Sequence, residues 1–265
     1  MEALGHITRK SMLYRTKVEY GDWAMNHVQG CFHGCRYPCY AYLMARRFGR
    51  VKTYEDWLNP SIVDNTLDLL RKELPRHRNE IERVQLCFTT DPFMTGYPEV
   101  GAMSIEAIKL INSFDIPCVV LTKGVLPMEL ARLSDINTYG VTLVSLDERY
   151  RAKMEPGSAP IADRVKSLRS LHDAGFKTWV SMEPYPTPNI WDQELLPILN
   201  AIEFVDRIVF GRTHYDSRTT SYGNRDAFYC DSANQVKDFC KCREIDCHIK
   251  NGTCGSARLS GSCGN

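Results

Sequence analysis

Three cysteines fall within nine residues, Cys31-Phe-His-Gly-Cys35-Arg-Tyr-Pro-Cys39, and Tyr40-Ala41-Tyr42 follow at once. Thiolates this close, in a loop leading into a helix, can hold three irons of a cubane iron-sulfur cluster and leave the fourth iron open to a ligand from outside the chain. Two other chemistries fit the same residues. A zinc knuckle would take His33 or His27 as its fourth ligand, although such sites usually add a distant second ligand pair that the neighbouring sequence does not offer in recognisable spacing. Disulfides are the third option. Eleven cysteines without a secretory signal or a long apolar stretch point instead to a reducing, cytoplasmic setting.

The elements that would position this loop can be read from the apolar pattern. Short apolar runs alternate with amphipathic stretches, the pattern of strand-helix units around a parallel sheet and hence an α/β fold. Strands are expected at 84–88, 117–121, 139–145, 177–182, 207–210 and 246–250. Helices are expected at 101–113, 126–133, 160–174, 192–203 and 233–243, with Gly175 as the stop of the third. Polar residues follow the strands: Thr89-Thr90-Asp91-Pro92, Thr122-Lys123-Gly124, Ser145-Leu-Asp147-Glu148, Glu183-Pro184 and Gly211-Arg212. In a parallel barrel or an open α/β sheet, loops at the strand C-terminal ends converge on one site, which argues for an enzyme. Residues 1–250 form the expected domain, and 251–265 a Gly, Ser and Cys-containing tail. No repeat or low-complexity linker interrupts the chain.

Composition narrows the partners. The formal net charge is +1, so the overall field gives no argument for a polyanionic partner. Local basic stretches, Arg46-Arg47-Phe-Gly-Arg50-Val-Lys52 and 71–78, read as solvated helix faces or turns, with nucleic-acid contact as the alternative. No run of eighteen apolar residues exists, so no membrane span is expected.

The stretch from Asn26 through Gly49, with Cys31, Cys35 and Cys39 at its centre, resembles the radical SAM superfamily, specifically its spore photoproduct lyase-like branch. Thr89-Thr90-Asp91-Pro92-Phe93, Leu121-Thr122-Lys123, Ser145-Leu-Asp147-Glu148 and Glu155-Pro156-Gly157 recur in matching order, so the resemblance covers roughly residues 20 to 250. It implies a partial (β/α)6 TIM-type barrel with a 4Fe-4S cluster at its mouth, held by Cys31, Cys35 and Cys39. It further implies S-adenosylmethionine on the open iron, cleaved reductively to a 5'-deoxyadenosyl radical that abstracts hydrogen from a substrate. An electron donor such as ferredoxin or flavodoxin would supply the reducing equivalent. The spacing here is CxxxCxxxC where the branch has CxxxCxxC, Pro38 being the added residue. The aromatic that normally precedes the last cysteine and packs near the adenine then falls to Tyr37 or Tyr40.

Several strand-end residues are candidates for the cofactor. Lys123 suits a carboxylate through a charge-assisted hydrogen bond, its alternative being a solvent-facing turn lysine. Thr90, Asp91 and Ser145 offer oxygens for ribose hydroxyls or an amino group, although Asp91 could merely cap the segment before Pro92. Glu183 could hold nucleoside or substrate, or serve as a turn residue. Photoproduct lyases return a hydrogen atom from a cysteine near the first of these strand ends, three residues before the aspartate. Cys87 lies four before Asp91, and on a strand one residue reverses the face, so a buried structural role is favoured for it. Cys230, Cys240, Cys242, Cys247, Cys254 and Cys263 form a second group without a recognised ligand pattern, so an auxiliary cluster is the lesser reading. The expectation is a radical SAM enzyme with an unidentified substrate. Its rivals are a photoproduct lyase-like DNA repair enzyme and a non-catalytic zinc or iron-sulfur module.

Overall fold

The computed structural model describes residues 3–255. The first part of the chain holds β1 (Gly5–Ile7), β2 (Leu13–Arg15), β3 (Trp23–Met25), β4 (Val28–Gln29), α1 (Tyr40–Arg47), α2 (Tyr54–Leu58), β5 (Ser61–Val63) and α3 (Thr66–His77). Strand and helix then alternate: β6 (Val84–Leu86), α4 (Pro98–Asn112), β7 (Cys118–Thr122), a 3-10 helix at Met128–Arg132, β8 (Thr138–Thr142), α5 (Glu148–Met154), α6 (Ile161–Asp173) and β9 (Lys177–Tyr185). The last part comprises α7 (Leu196–Ala201), β10 (Arg207–Arg212), α8 (Ser217–Ser221), α9 (Arg225–Cys242) and β11 (Asp246–Ile249).

Eight strands form the main sheet in the order β11-β10-β9-β8-β7-β6-β3-β2. Every pair is parallel except β2 with β3. From β6 onward each connection moves one position along the sheet, so the strand C-terminal ends and their loops line up on one edge. A smaller sheet, β1-β5-β4, sits outside this series. Helices α4, α6 and α9 pack against the main sheet. In β9 the run from Thr178 through Met182 is buried without alternation. Thr253 is buried and Cys254 packs against the main core, so the chain remains part of the fold beyond 250, where the tail was expected to begin.

Most expected elements are present, with shifted ends. The strand expected at 84–88 stops at Leu86, and the one expected at 139–145 stops at Thr142. The strand expected at 177–182 runs on to Tyr185, so Glu183 lies within it rather than after it. The stretch 126–133 is 3-10 rather than α-helical at Met128–Arg132. Helix α9 begins eight residues before the expected 233, since its first turns carry polar residues that mask the apolar period.

Trp179 illustrates how tightly adjacent strands fit. Its indole N–H donates to Val120 O at 3.0 Å, and the ring lies over Gly140, where a Cβ would stand 2.4 Å from the indole nitrogen. Gly140→Ala is therefore expected to destabilise the fold by about 1–3 kcal/mol through overpacking. Urea unfolding of this variant against wild type measures the loss, and an unchanged midpoint would mean that the ring can move aside.

Candidate active site

The cysteine loop leaves β4 and enters α1, for which Cys39 is the N-cap. Its backbone is fixed from four directions. Cys31 N–H donates to Trp57 O at 2.8 Å, and Arg36 N–H to Met154 O at 2.8 Å. Tyr54 hydroxyl donates to Cys35 O at 2.7 Å, and Gly157 N–H to His33 O at 3.0 Å. Glycine is required at 157 because a Cβ there would come within 2.2 Å of Phe32 O. The Glu155-Pro156-Gly157 segment thus clamps the loop through both a hydrogen bond and a close backbone approach.

The three cysteines open on a cavity of about 460 Å³ at the strand C-terminal ends. That volume falls in the range of small-molecule sites, roughly 300–1,000 Å³. Tyr37, Tyr40, Thr90, Asp91, Lys123, Glu183 and Cys87 all line it. Ser145 does not. Because β8 ends at Thr142, Ser145 falls three residues beyond the strand, where its hydroxyl accepts the Asp147 N–H at 3.1 Å within a turn. Thr142 and Ser181, which were not expected, take part in the wall instead.

Most charged groups of the wall are already committed to one another. Asp91 uses both oxygens as a brace: Oδ1 accepts from Thr122 Oγ1 (2.6 Å) and Phe93 N–H (2.9 Å), and Oδ2 from Lys123 N–H at 2.8 Å. His33 Nδ1 lies 3.4 Å from the same Oδ2. Glu183 pairs with Lys250, whose Nζ approaches its oxygens at 2.7 and 2.9 Å. Lys123 is far from the solvent-facing alternative: its ammonium contacts the Tyr37 hydroxyl, Glu155 Oε1 at 3.5 Å and Cys35 Sγ at 3.7 Å. Glu155 in turn receives the Tyr37 hydroxyl at 3.0 Å and Arg164 at 3.1 Å. The Arg212 side chain, by contrast, lines the cavity without a hydrogen bond or ion pair among the described residues, Asp226 being an opposing charge it acts on.

Burial and charge set the protonation of these groups. Desolvation pushes the Cys31 thiol up and the Cys35 thiol to about 11, with Lys123 favouring the Cys35 thiolate. Desolvation alone would lower the Lys123 ammonium, but the neighbouring Cys35 and Glu155 outweigh it and raise it. Glu155 shows the mirror case, where burial would raise the carboxyl and the Lys123 and Arg164 cations hold it below the ordinary range.

Cys87 is buried, as expected, but it also lines the cavity. Beyond the end of β6 its backbone turns left-handed at φ 55°, so the face alternation of a strand does not govern its side chain. A non-glycine residue held there costs on the order of 1–3 kcal/mol, and such costs concentrate at functional positions. Its Sγ lies 3.4 Å from His27 Nδ1. Burial pushes the thiol up to about 12.

The donor set fits a cluster better than a single ion. His27 is turned to Cys87, Ser104 and Val100, and His33 to Asp91, so neither ring joins the three sulfurs. Among the described residues no three His, Cys, Asp or Glu side chains gather tightly enough for one metal ion. Buried wall atoms such as His33 Nε2 and Gln85 Oε1 have no hydrogen-bond partner among the described residues, and leaving such atoms unpaired costs about 1–3 kcal/mol each unless an occupant supplies the bond. Elsewhere, the thiols of Cys240 and Cys247 hydrogen-bond to each other, as do those of Cys230 and Cys254, while Cys242 is exposed. Cys263 lies outside the described residues.

An α/β chain with a clamped three-cysteine loop at the C-terminal edge of a parallel sheet is the architecture of one enzyme class. The family model described as Radical SAM superfamily matches residues 25–202, and the chain belongs to that superfamily. With membership come its cofactors, a 4Fe-4S cluster and S-adenosylmethionine. An uncharacterized protein, ORF301 of Acidianus two-tailed virus, is 24% identical over 175 residues, 63% of this chain and 57% of its own length. The chain thus spans little more than half of that relative. Among solved structures, a spore photoproduct lyase mutant with bound AdoMet and dinucleoside spore photoproduct superposes with a TM-score of 0.68 at 17% identity, covering 91% of this chain and 80% of the other. Spore photoproduct lyase complexed with dinucleoside spore photoproduct gives 0.65 at 18% identity over the same shares. Streptococcus suis SuiB gives 0.51 at 16% identity, over 71% of this chain and 43% of that one.

Glu155 was noticed in its motif but not assigned to the site, although it is the centre of the buried ion network. Glu155→Gln is expected to cost about 3–5 kcal/mol at pH 7, because it strands buried cations. Since the folded-state pKa is depressed, that contribution is complete above the ordinary glutamate value of about 4.3 and is lost as the pH falls through the folded value. Urea titrations of wild type and variant should therefore diverge at pH 7 and draw together in acid. Equal stability at pH 7 would show that the network contributes nothing.

Proposed function

We propose that this chain is a radical SAM enzyme that binds its cluster through Cys31, Cys35 and Cys39 and abstracts hydrogen from a substrate held in the 460 Å³ cavity. The observation that carries the reading is the clamped loop itself: three part-buried thiols lining one cavity at the strand C-terminal ends. When bound, cluster and S-adenosylmethionine supply the 5'-deoxyadenosyl radical, and the protein supplies orientation and exclusion of water.

The chain's own residues divide the remaining work. Cys31 and Cys35 enter as thiols and release their protons on metal binding, and the Lys123 ammonium stabilises the Cys35 thiolate. Asp91 holds the Lys123 backbone and the His33 ring in place, acting as a positioning residue. Tyr40, whose hydroxyl donates to Phe88 O, offers a ring at the mouth for a nucleobase, whereas the Tyr37 hydroxyl is tied into the ion network. Thr90 and Gln85 offer oxygens to ribose or amino groups. Arg212 is the cation open to a carboxylate, and Lys123, already paired with Glu155 and Cys35, is the second. The open sheet, in this reading, curves as the partial (β/α)6 barrel the resemblance implies.

A second reading, repair of a DNA photoproduct, is favoured by one observation: Cys87 stands in the cavity wall, where a hydrogen donor to a substrate radical would be needed. Under it, Cys87→Ala would leave 5'-deoxyadenosine formation intact while abolishing clean repair of a dinucleoside photoproduct.

Anaerobic reconstitution is expected to give about four irons and four sulfides per chain, and Cys31→Ala, Cys35→Ala or Cys39→Ala each to abolish this. Full iron content in any one of these variants overturns the ligand assignment. The reduced, loaded protein should form 5'-deoxyadenosine from S-adenosylmethionine, and deuterium transfer into that product from candidate substrates identifies the reaction.

A further inference from the structure

Helix α1 is inverted relative to an ordinary surface helix. Its buried stripe is made of Ala41 and Ala45, packed with Val51 and Trp57. The long apolar side chains face outward: Leu43 is 38% exposed, Met44 41% and Phe48, just after the helix, 63%. A surface helix normally does the reverse, turning long apolar chains to the core and leaving alanine or polar residues outside. Arg46, Arg47, Arg50 and Lys52 are all exposed nearby in the chain, and the first acidic residues after Cys31 are Glu55 and Asp56, the latter beside Lys52. Helix α1 also starts directly after Cys39.

We propose that this apolar centre and basic rim dock an acidic one-electron carrier protein, of flavodoxin or ferredoxin type. The inference rests on the reading of Cys39 as a cluster ligand. Three features favour such a carrier. A contiguous apolar patch ringed by polar residues marks a protein interaction site, and one containing Met and Arg suits a transient partner. Arg46, Arg47 and Arg50, none of them in an ion pair among the described residues, steer an acidic surface in and hold it in register. A carrier seated here rests on the helix that Cys39 caps, so one electron leaves the carrier, which is oxidised by one equivalent, and enters the site, which is reduced by one. A nucleic acid would use the same cations but has no need of exposed Leu43, Met44 and Phe48.

The test uses the cluster-loaded protein with a reduced flavodoxin. Binding is measured by calorimetric titration, and turnover by 5'-deoxyadenosine formation, driven either by the flavodoxin or by dithionite. Arg46→Glu/Arg47→Glu and Leu43→Ser/Phe48→Ser are each expected to weaken flavodoxin binding at least about tenfold, with dithionite-driven turnover unchanged. Raising salt should weaken wild-type binding and affect the charge-reversed variant less. Unchanged flavodoxin affinity in both variants overturns the proposal, as does loss of single-stranded oligonucleotide binding in the charge-reversed variant with flavodoxin affinity intact. Loss of dithionite-driven turnover in wild type would count against the enzyme assignment instead, because the affinity measurement does not depend on it.

Discussion

The site depends on one buried carboxylate. Glu155 lies between the cations of Lys123 and Arg164 and also accepts the Tyr37 hydroxyl, so it joins the end of β7, helix α6 and the cysteine loop. A charge so deeply buried persists only when paired and hydrogen-bonded, and here both conditions are met. Residues two positions further on deliver the second constraint, the contact of Gly157 with the backbone of Phe32 and His33. One short segment therefore sets both the electrostatics of the cavity and the path of the loop beside it.

Sheet order explains why these groups meet. Seven parallel strands placed side by side bring residues 85–91, 122–123, 142, 181–183 and 212 to one edge, although they are far apart in the chain. The asymmetry of charge at that edge follows from pairing. Glu183 and Lys250 neutralise each other within the wall and hydrogen bonds hold Asp91, whereas the Arg212 side chain has no direct ion-pair partner among the described residues. Parallel topology supplies the convergence, and local pairing decides which groups remain available to an occupant.

How much of this was legible in the sequence depended on the range of the forces involved. The cysteine spacing, the strand-helix alternation and the polar residues after each strand are local signals, and they located Lys123, Asp91 and Glu183 on the wall. Strand ends were less legible, since the last hydrogen bonds of a ladder depend on the neighbouring strand rather than on the residues themselves. A three-residue error at the end of β8 put Ser145 in the site instead of Thr142. The left-handed turn at Cys87 defeated an alternation argument that holds only within a strand. The short strands β1 to β5 escaped notice because two or three residues carry no period. Arg212 was visible as a strand-end residue, but only the structure reveals that no carboxylate among the described residues pairs with it directly.

The loop that carries Cys31, Cys35 and Cys39 has a consequence for maturation. Its three sulfurs lie within nine residues, so an unfolded chain already keeps them close at little entropic cost. The groups that give the loop its shape, Trp57, Met154 and Gly157, enter from far along the chain and arrive only with tertiary structure. Proximity of the sulfurs and the final shape of the loop are thus separable in time. An unfolded chain already keeps the trio together, while only the completed sheet supplies the cradle around it.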